Sequence, residues 1–231
     1  MKKILTTAIL CAGLVGFTAC DSFLDEEPKS SLTLDTYYKT SADIIGNVNY
    51  LYRDGAPDKM GNMTGAYRGS SLSVMNMVTG YFVNEYEGQE VDCSYARQLT
   101  RQDFTQSCCN YLTNDTWKSC YKSINVANAV IKYVDGVEMD NQAQYKAEAR
   151  FFRALNYFYL VKMFGDVPMV TEPTEDATLV EYPTRTAASE VFNTVIIPDL
   201  QFAVENLPNA TFAGNSHRVT KYAADMLLAD V

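Results

Sequence analysis

The 22 residues from Ala147 to Pro168, AEARFFRALNYFYLVKMFGDVP, leave few folds open. One helical stripe through this region holds Tyr145, Ala149, Phe152, Asn156, Tyr159 and Met163, while Phe151, Ala154, Leu155 and Phe158 fill the remaining arc. A helix that is apolar on nearly every side is buried on more than one side. Removing a large aliphatic or aromatic side chain from water contributes roughly 1.5–3 kcal/mol. Five such residues therefore outweigh the weak helix propensity of aromatic side chains. Asp140 is expected to cap the start. Gly165 and Pro168 end the helix, the first by an unrestrained backbone and the second by a ring that cannot extend the ladder.

Partners for that helix can be read on both sides of it. Upstream, Trp117, Tyr121, Ile124, Asn128 and Ile131 recur at spacings of three and four, with Asp115 or Thr116 as the expected cap and Gly136 as the stop. Downstream, Ala187–Asn206 carries Val191, Val195, Ile196, Leu200 and Ala203, and Pro198 within it predicts a kink or break. A further helix, capped by Thr220, runs from Lys221 to Val231 with Ala223, Ala224 and Ala229 permitting close approach; its pattern is still running at Val231, as expected of a truncated product. Near the front, Tyr38, Ile45, Val48 and Tyr52 suggest a helix over 34–52, then 53–64 reads as loop and 71–78 as helical again. Residues 80–107 show no period, and their Tyr81, Phe82, Tyr86 and Tyr95 favour an ordered irregular connection. The expected fold is all-α, a tetratricopeptide-like helix-turn-helix stack with long irregular loops. In such a stack an inner helix touches its own partner and the next pair, which accounts for the all-round burial of the aromatic run.

The N-terminus indicates export. Lys2 and Lys3 precede an apolar run, Ile4 to Phe17, of 14 residues, short of the roughly 20 that a membrane-spanning helix needs. It reads as a secretory leader. Phe17-Thr-Ala-Cys20 resembles the lipobox of bacterial lipoproteins, which makes Cys20 the expected lipidation site; Cys11, preceded by the bulky Leu10, fits less well. The expected organisation is a signal peptide over 1–19, a lipidated acidic tether over 20–31, and a helical domain over 32–231. Acyl chains would make the anchoring stable.

Charge and cysteine usage narrow the chemistry. A formal net charge of −9 disfavours nucleic acid, whose affinity rests on Lys and Arg neutralising phosphates, and leaves neutral ligands acceptable. Cys93, Cys108, Cys109 and Cys120 remain in an oxidising setting, with one or two disulfides open and no pairing assignable from spacing. There is no Cys-x-x-Cys pair and His217, expected to be exposed, is the single histidine, so neither a metal site nor a cofactor is expected. No nucleophile motif accompanies the carboxylates, and an enzyme is not expected.

For ligand contact, Tyr86, Tyr95 and Arg97 are the candidates, because they lie in the irregular stretch where side chains need not serve a core. Aromatic rings offer flat apolar platforms to a small ligand while a few polar groups fix its orientation. Trp117 belongs to a helical stripe and is expected in the core. Arg150 and Arg153 are expected to pair with carboxylates or carbonyls, and Asn128 and Asn156 to hydrogen-bond between helices.

These segments together resemble the SusD/RagB family, outer-membrane nutrient-binding lipoproteins of Bacteroidetes. Ala147–Pro168 is similar to its signature helix, and Trp117-x3-Tyr121-x2-Ile124-x2-Ala127-Asn128 to the helix before it. Pro183-Thr-Arg185, Ile197-Pro-Asp-Leu200 and Asn206-Leu-Pro208 resemble the next, and Arg218-Val-Thr-Lys221 with Leu227-Leu-Ala229 the opening of a further repeat; Cys20–Pro28 is similar to the mature start. The resemblance implies a cell-surface, lipid-anchored protein roughly twice as long as this chain, lidding a TonB-dependent transporter and capturing oligosaccharide or another nutrient for import. It also implies that a substantial part of the ligand platform lies beyond Val231. The alternative from the helical pattern alone is a repeat scaffold that binds protein or peptide partners.

Overall fold

The aromatic run folds as the helix around which the others are arranged. In the computed structural model, residues 33–53, 76, 78–81, 100–102, 107–174, 183–214 and 217–231 are described, all but Thr33 within one unit spanning Leu34–Val231. Among them are α1 (Leu34–Tyr37), α2 (Ser41–Arg53), α3 (Ser107–Tyr133) running into a 3-10 turn (Val134–Gly136), and α4 (Gln142–Phe164). There follow α5 (Ala188–Val191), a π-helical turn (Phe192–Ile196), α6 (Ile197–Asn206) and α7 (Lys221–Asp230). The described residues contain no strand beyond one isolated antiparallel bridge, Val167 with Thr186. No helix among them is long and apolar enough to cross a membrane.

Helix α4 packs against α2, α3, α6 and the π turn, and α7 packs on α6. From Ala147 to Val161 only Arg150, Leu155 and Tyr159 escape full burial. An amphipathic surface helix buries one stripe, so the all-round burial expected of this segment holds. Rings fill the seams: Phe152 meets Tyr52 of α2 edge-on at 4.6 Å, Trp117 of α3 meets Phe164 at 5.1 Å, and Phe158 faces Phe192 at 6.3 Å. Trp117 thus sits half-buried in the packing, as its stripe indicates.

Several boundaries differ from the sequence expectation. Helix α3 starts at Ser107, eight residues before Asp115, and Thr116 is buried in mid-helix. A cap residue is worth about 1 kcal/mol, too little to start a helix where tertiary packing extends it. Asp140 is not the cap of α4; Asn141 holds that position with φ 56° and without a side-chain bond. Asparagine tolerates this left-handed conformation better than most residues. The expected helix over 34–52 is two helices, because Thr40 and Asp43 form a reciprocal cap: Asp43 Oδ2 accepts from Thr40 N–H at 2.8 Å and from its hydroxyl at 2.7 Å. Thr220 does precede α7, in an extended conformation and without a side-chain bond.

Two backbone expectations are met. Gly165 closes α4 with φ 70°, a region costly for a residue with a Cβ, and its N–H donates to Val161 O at 2.9 Å. The proline effect appears as the π turn immediately before α6, with Pro198 in that helix's first turn, where its missing N–H costs little. The cysteine alternatives also narrow. Cys108 and Cys109 lie in the first turn of α3 and buried Cys120 eleven residues past Cys109 on the same helix. At 1.5 Å per residue that is about 16 Å, too far for a disulfide, whose Cα atoms stand within about 7 Å. Cys93 lies outside the described residues.

Candidate functional site

A buried charge must be paired, and two buried arginines among the described residues show where this fold places its pairs. Arg218, in the loop before α7, is 7% exposed, and its guanidinium lies 4.7 Å from the ring centre of Tyr145 and 5.1 Å from that of Phe212. Its Nη1 donates to the fully buried Glu148 of α4, and its Nη2 to Asn49 Oδ1 of α2 at 2.8 Å. Tyr52 completes the group: its hydroxyl donates to Glu148 Oε1 at 2.6 Å and accepts from Val219 N–H at 2.9 Å. The loop that leads into α7 is thereby tied to α2 and α4 at once.

The second tie joins α4 to α6. Arg153 Nε and Nη2 donate to the two oxygens of Asp199 at 2.6 and 2.9 Å, and its Nη1 donates to Asn128 Oδ1 of α3 at 2.9 Å. Arg150 approaches the same carboxylate at 3.6 Å while stacking on Phe202 at 4.3 Å. Both arginines therefore pair with a carboxylate, as expected of them. Asn128 joins helices as expected and also donates to Val170 O at 3.0 Å. The Asn156 amide donates to Phe152 O of its own helix at 2.7 Å. The chain after α4 is pinned by side chains, with Tyr121 Oη donating to Pro168 O at 2.7 Å, and Tyr157 Oη donating to Val170 O at 2.8 Å and accepting from Val170 N–H at 2.7 Å.

Burial pushes the Glu148 carboxyl up to about 7, against the pull of Tyr52 and Arg218 in the other direction. Asp199 is raised as well, first by burial, with Arg153 and Arg150 opposing. A carboxyl raised on folding binds its proton more tightly in the folded state than in the unfolded state. Its contribution is complete below the unfolded value of 4.5 and is lost as pH rises through about 7. The chain is expected to melt at a higher temperature at pH 5 than at pH 8, with a slope of at most about 1.4 kcal/mol per pH unit per group. Glu148→Gln flattens the profile in this window. A melting temperature that climbs from pH 5 to pH 8 contradicts the assignment.

Neither tie is a ligand site, since both are filled by protein groups. The candidates Tyr86, Tyr95 and Arg97, and the lipidation candidate Cys20, lie outside the described residues. Among the described residues, Tyr81 presents an aromatic ring at 90% exposure and Tyr222 one at 58%. Tyr81 follows the turn at Gly80, a signal legible in the sequence, where it served only as a mark of order. His217 is exposed, as expected.

One hollow of about 640 Å³ opens where the start of α2 meets the connection from the 3-10 turn to α4. Ser41 and Ile45 line it from α2, Glu138 to Asn141 from the connection, and Tyr145 from the first turns of α4. Sequence reasoning missed these as site residues: Tyr145 read as part of a core stripe, and Asp140 as a cap. No group of three or more potential metal ligands occurs among the described residues.

Comparison with known proteins gives a consistent result. Residues 22–231 match the SusD-like family described as "Starch-binding associating with outer membrane". "SusD-like protein P2" of Formosa agariphila is 29% identical over 216 residues, 92% of this chain and 40% of that protein. A "SusD-like protein" of Bacteroides ovatus is 29% identical over 236 residues, 99% of this chain and 38% of that one. This chain thus spans about 40% of the length of the curated relatives it matches. A solved "Laminarin binding SusD-like protein" superposes with TM-score 0.67 at 22% identity, covering 84% of this chain and 40% of its own. A crystal structure "with xylogluco-oligosaccharide" superposes with TM-score 0.53 at 25% identity, covering 70% and 30%.

Proposed function

The chain belongs to the SusD-like family, and from that premise we propose that it is a cell-surface glycan-binding lipoprotein that hands its ligand to a TonB-dependent outer-membrane transporter. The observation that carries this reading is the family match across residues 22–231, to a family described as starch-binding and associated with the outer membrane. The leader and Phe17-Thr-Ala-Cys20 support export and a lipid anchor at Cys20. A net charge of −9 suits a neutral saccharide better than a polyanion. The protein binds and releases its ligand without catalysis. Tyr86, Tyr95 and Arg97 are the proposed ligand contacts, the rings as platforms and the guanidinium as a donor to sugar hydroxyls. Tyr81, with its exposed ring, supplies a further platform.

Calorimetric titration of the full chain carrying Cys20→Ala with maltoheptaose and with laminarin tests the reading. Saturable binding of at least one of them is expected. Replacing Tyr86 and Tyr95 together by alanine is expected to weaken it at least about tenfold, or 1.4 kcal/mol. Binding of neither glycan, with capture of peptide ligands instead, would make the chain a helical-repeat scaffold for protein partners.

A further inference from the structure

We propose that the hollow between the start of α2 and the connection into α4 is a second binding site, for one or two residues of a neutral, hydroxyl-rich ligand such as a saccharide. The inference rests on the lining of the hollow and not on the stretch that carries Tyr86, Tyr95 and Arg97.

Tyr145 carries the argument. It is 4% exposed, its ring lies edge-on to Phe212 at 5.2 Å and beneath the Arg218 guanidinium, and it lines the hollow. Buried phenol hydroxyls find hydrogen-bond partners. Those of Tyr52, Tyr121 and Tyr157 do so within the protein, whereas the Tyr145 hydroxyl bonds to no described residue and is not sealed in, standing open at the wall of the hollow. The hollow is the side from which a partner can reach it.

The rest of the lining states what that partner must be. Glu138 and Asp140 have no partner among the described residues, although nearby carboxylates are committed: Asp135 pairs with Lys146, and Asp43 caps α2. Two carboxylates repel an anion and accept hydrogen bonds from hydroxyl groups. Ser41 and the Asn141 amide can donate or accept. Ile45 and Met139 offer apolar contact to C–H faces. A cation could pair with the two carboxylates but would leave the apolar Ile45 and Met139 without a contact. A neutral polyol satisfies all of these groups together, and the volume of about 640 Å³ lies within the range of small-ligand pockets.

The test is a residue-resolved NMR titration of the isotope-labelled full chain carrying Cys20→Ala, with laminaribiose as the probe and sodium sulfate as the anion control. Laminaribiose is expected to shift the amide signals of Ser41, Glu138, Asp140 and Asn141 saturably, and sulfate to leave them in place. Tyr145→Phe, which keeps the ring and removes only the hydroxyl, is expected to weaken the response about tenfold, and Asp140→Asn several-fold. Shifts at the hollow that persist when Tyr86 and Tyr95 are both replaced by alanine support a separate site. Shifts confined to residues outside the hollow overturn this proposal and leave the family reading standing. No response at the hollow at millimolar disaccharide, or an undiminished response in Tyr145→Phe, also overturns it.

Discussion

Asp199→Ala is expected to destabilise the fold by about 3–5 kcal/mol, the range for removing one partner of a buried ion pair. Asp199 is 1% exposed and Arg153 is 8% exposed. Without the carboxylate, the largely buried Arg153 guanidinium keeps only the neutral Asn128 oxygen as a described acceptor. Arg150 loses its carboxylate neighbour at the same time. The cost is thus the stranded charge more than the lost attraction. The control that separates the two is the double variant Arg153→Met with Asp199→Leu, which removes both charges and should recover most of the loss. Urea unfolding followed by circular dichroism reads both. A loss under about 1 kcal/mol for Asp199→Ala, the size of a surface pair, would contradict the role given to this tie.

Tyr157→Ala is expected to cost a similar 3–5 kcal/mol, as large aromatic truncations in cores do. Its side chain is fully buried, and it packs edge-on to Tyr121 at 6.5 Å. It also serves both backbone groups of Val170, and without it the half-buried Val170 N–H loses its described partner while Val170 O keeps Asn128. Tyr157→Phe isolates that polar part: the ring stays, and the loss should be about 1 kcal/mol, the net worth of a typical hydrogen bond. Hydrogen exchange provides the local reading, because the Val170 amide should exchange faster in Tyr157→Phe while amides at the centre of α4 hold. Unchanged protection at Val170 would show that this stretch is held by something other than the tyrosine.

The helical character and the burial of α4 were legible because they rest on periodicity over six turns, a signal that single-residue exceptions do not erase. The pairing tendency of Arg150 and Arg153 was legible for a similar reason, since a cation within an apolar helix needs an acceptor. The identity of the acceptor was not. Glu148 and Arg218 are 70 positions apart, and Arg153 and Asp199 are 46 apart, and only the fold brings them together. The motifs that carry the family resemblance, AEARFFR, IPDL and RVTK, supply the four charged members of these two ties. Their shared role in this chain is structural. Helix starts were the least legible feature: the cap expected at Asp140 falls at Asn141, and α3 begins well before Asp115, because capping preferences are small beside the packing of a long helix. The hollow could not be read at all, since its lining comes from two stretches nearly 100 residues apart and each of its residues has an ordinary local role.

The central claim concerns capture of glycan outside the cell, and intact cells test it most directly. Cells that produce the full protein, incubated with fluorescently labelled starch and laminarin oligosaccharides, are predicted to retain at least one label at the surface. Proteinase treatment of the intact cells should remove it, and Cys20→Ala should move the binding activity from the cell envelope to the soluble fraction. Protein that is present and protease-accessible at the surface yet retains none of these glycans, or retention that survives its removal, would contradict the account.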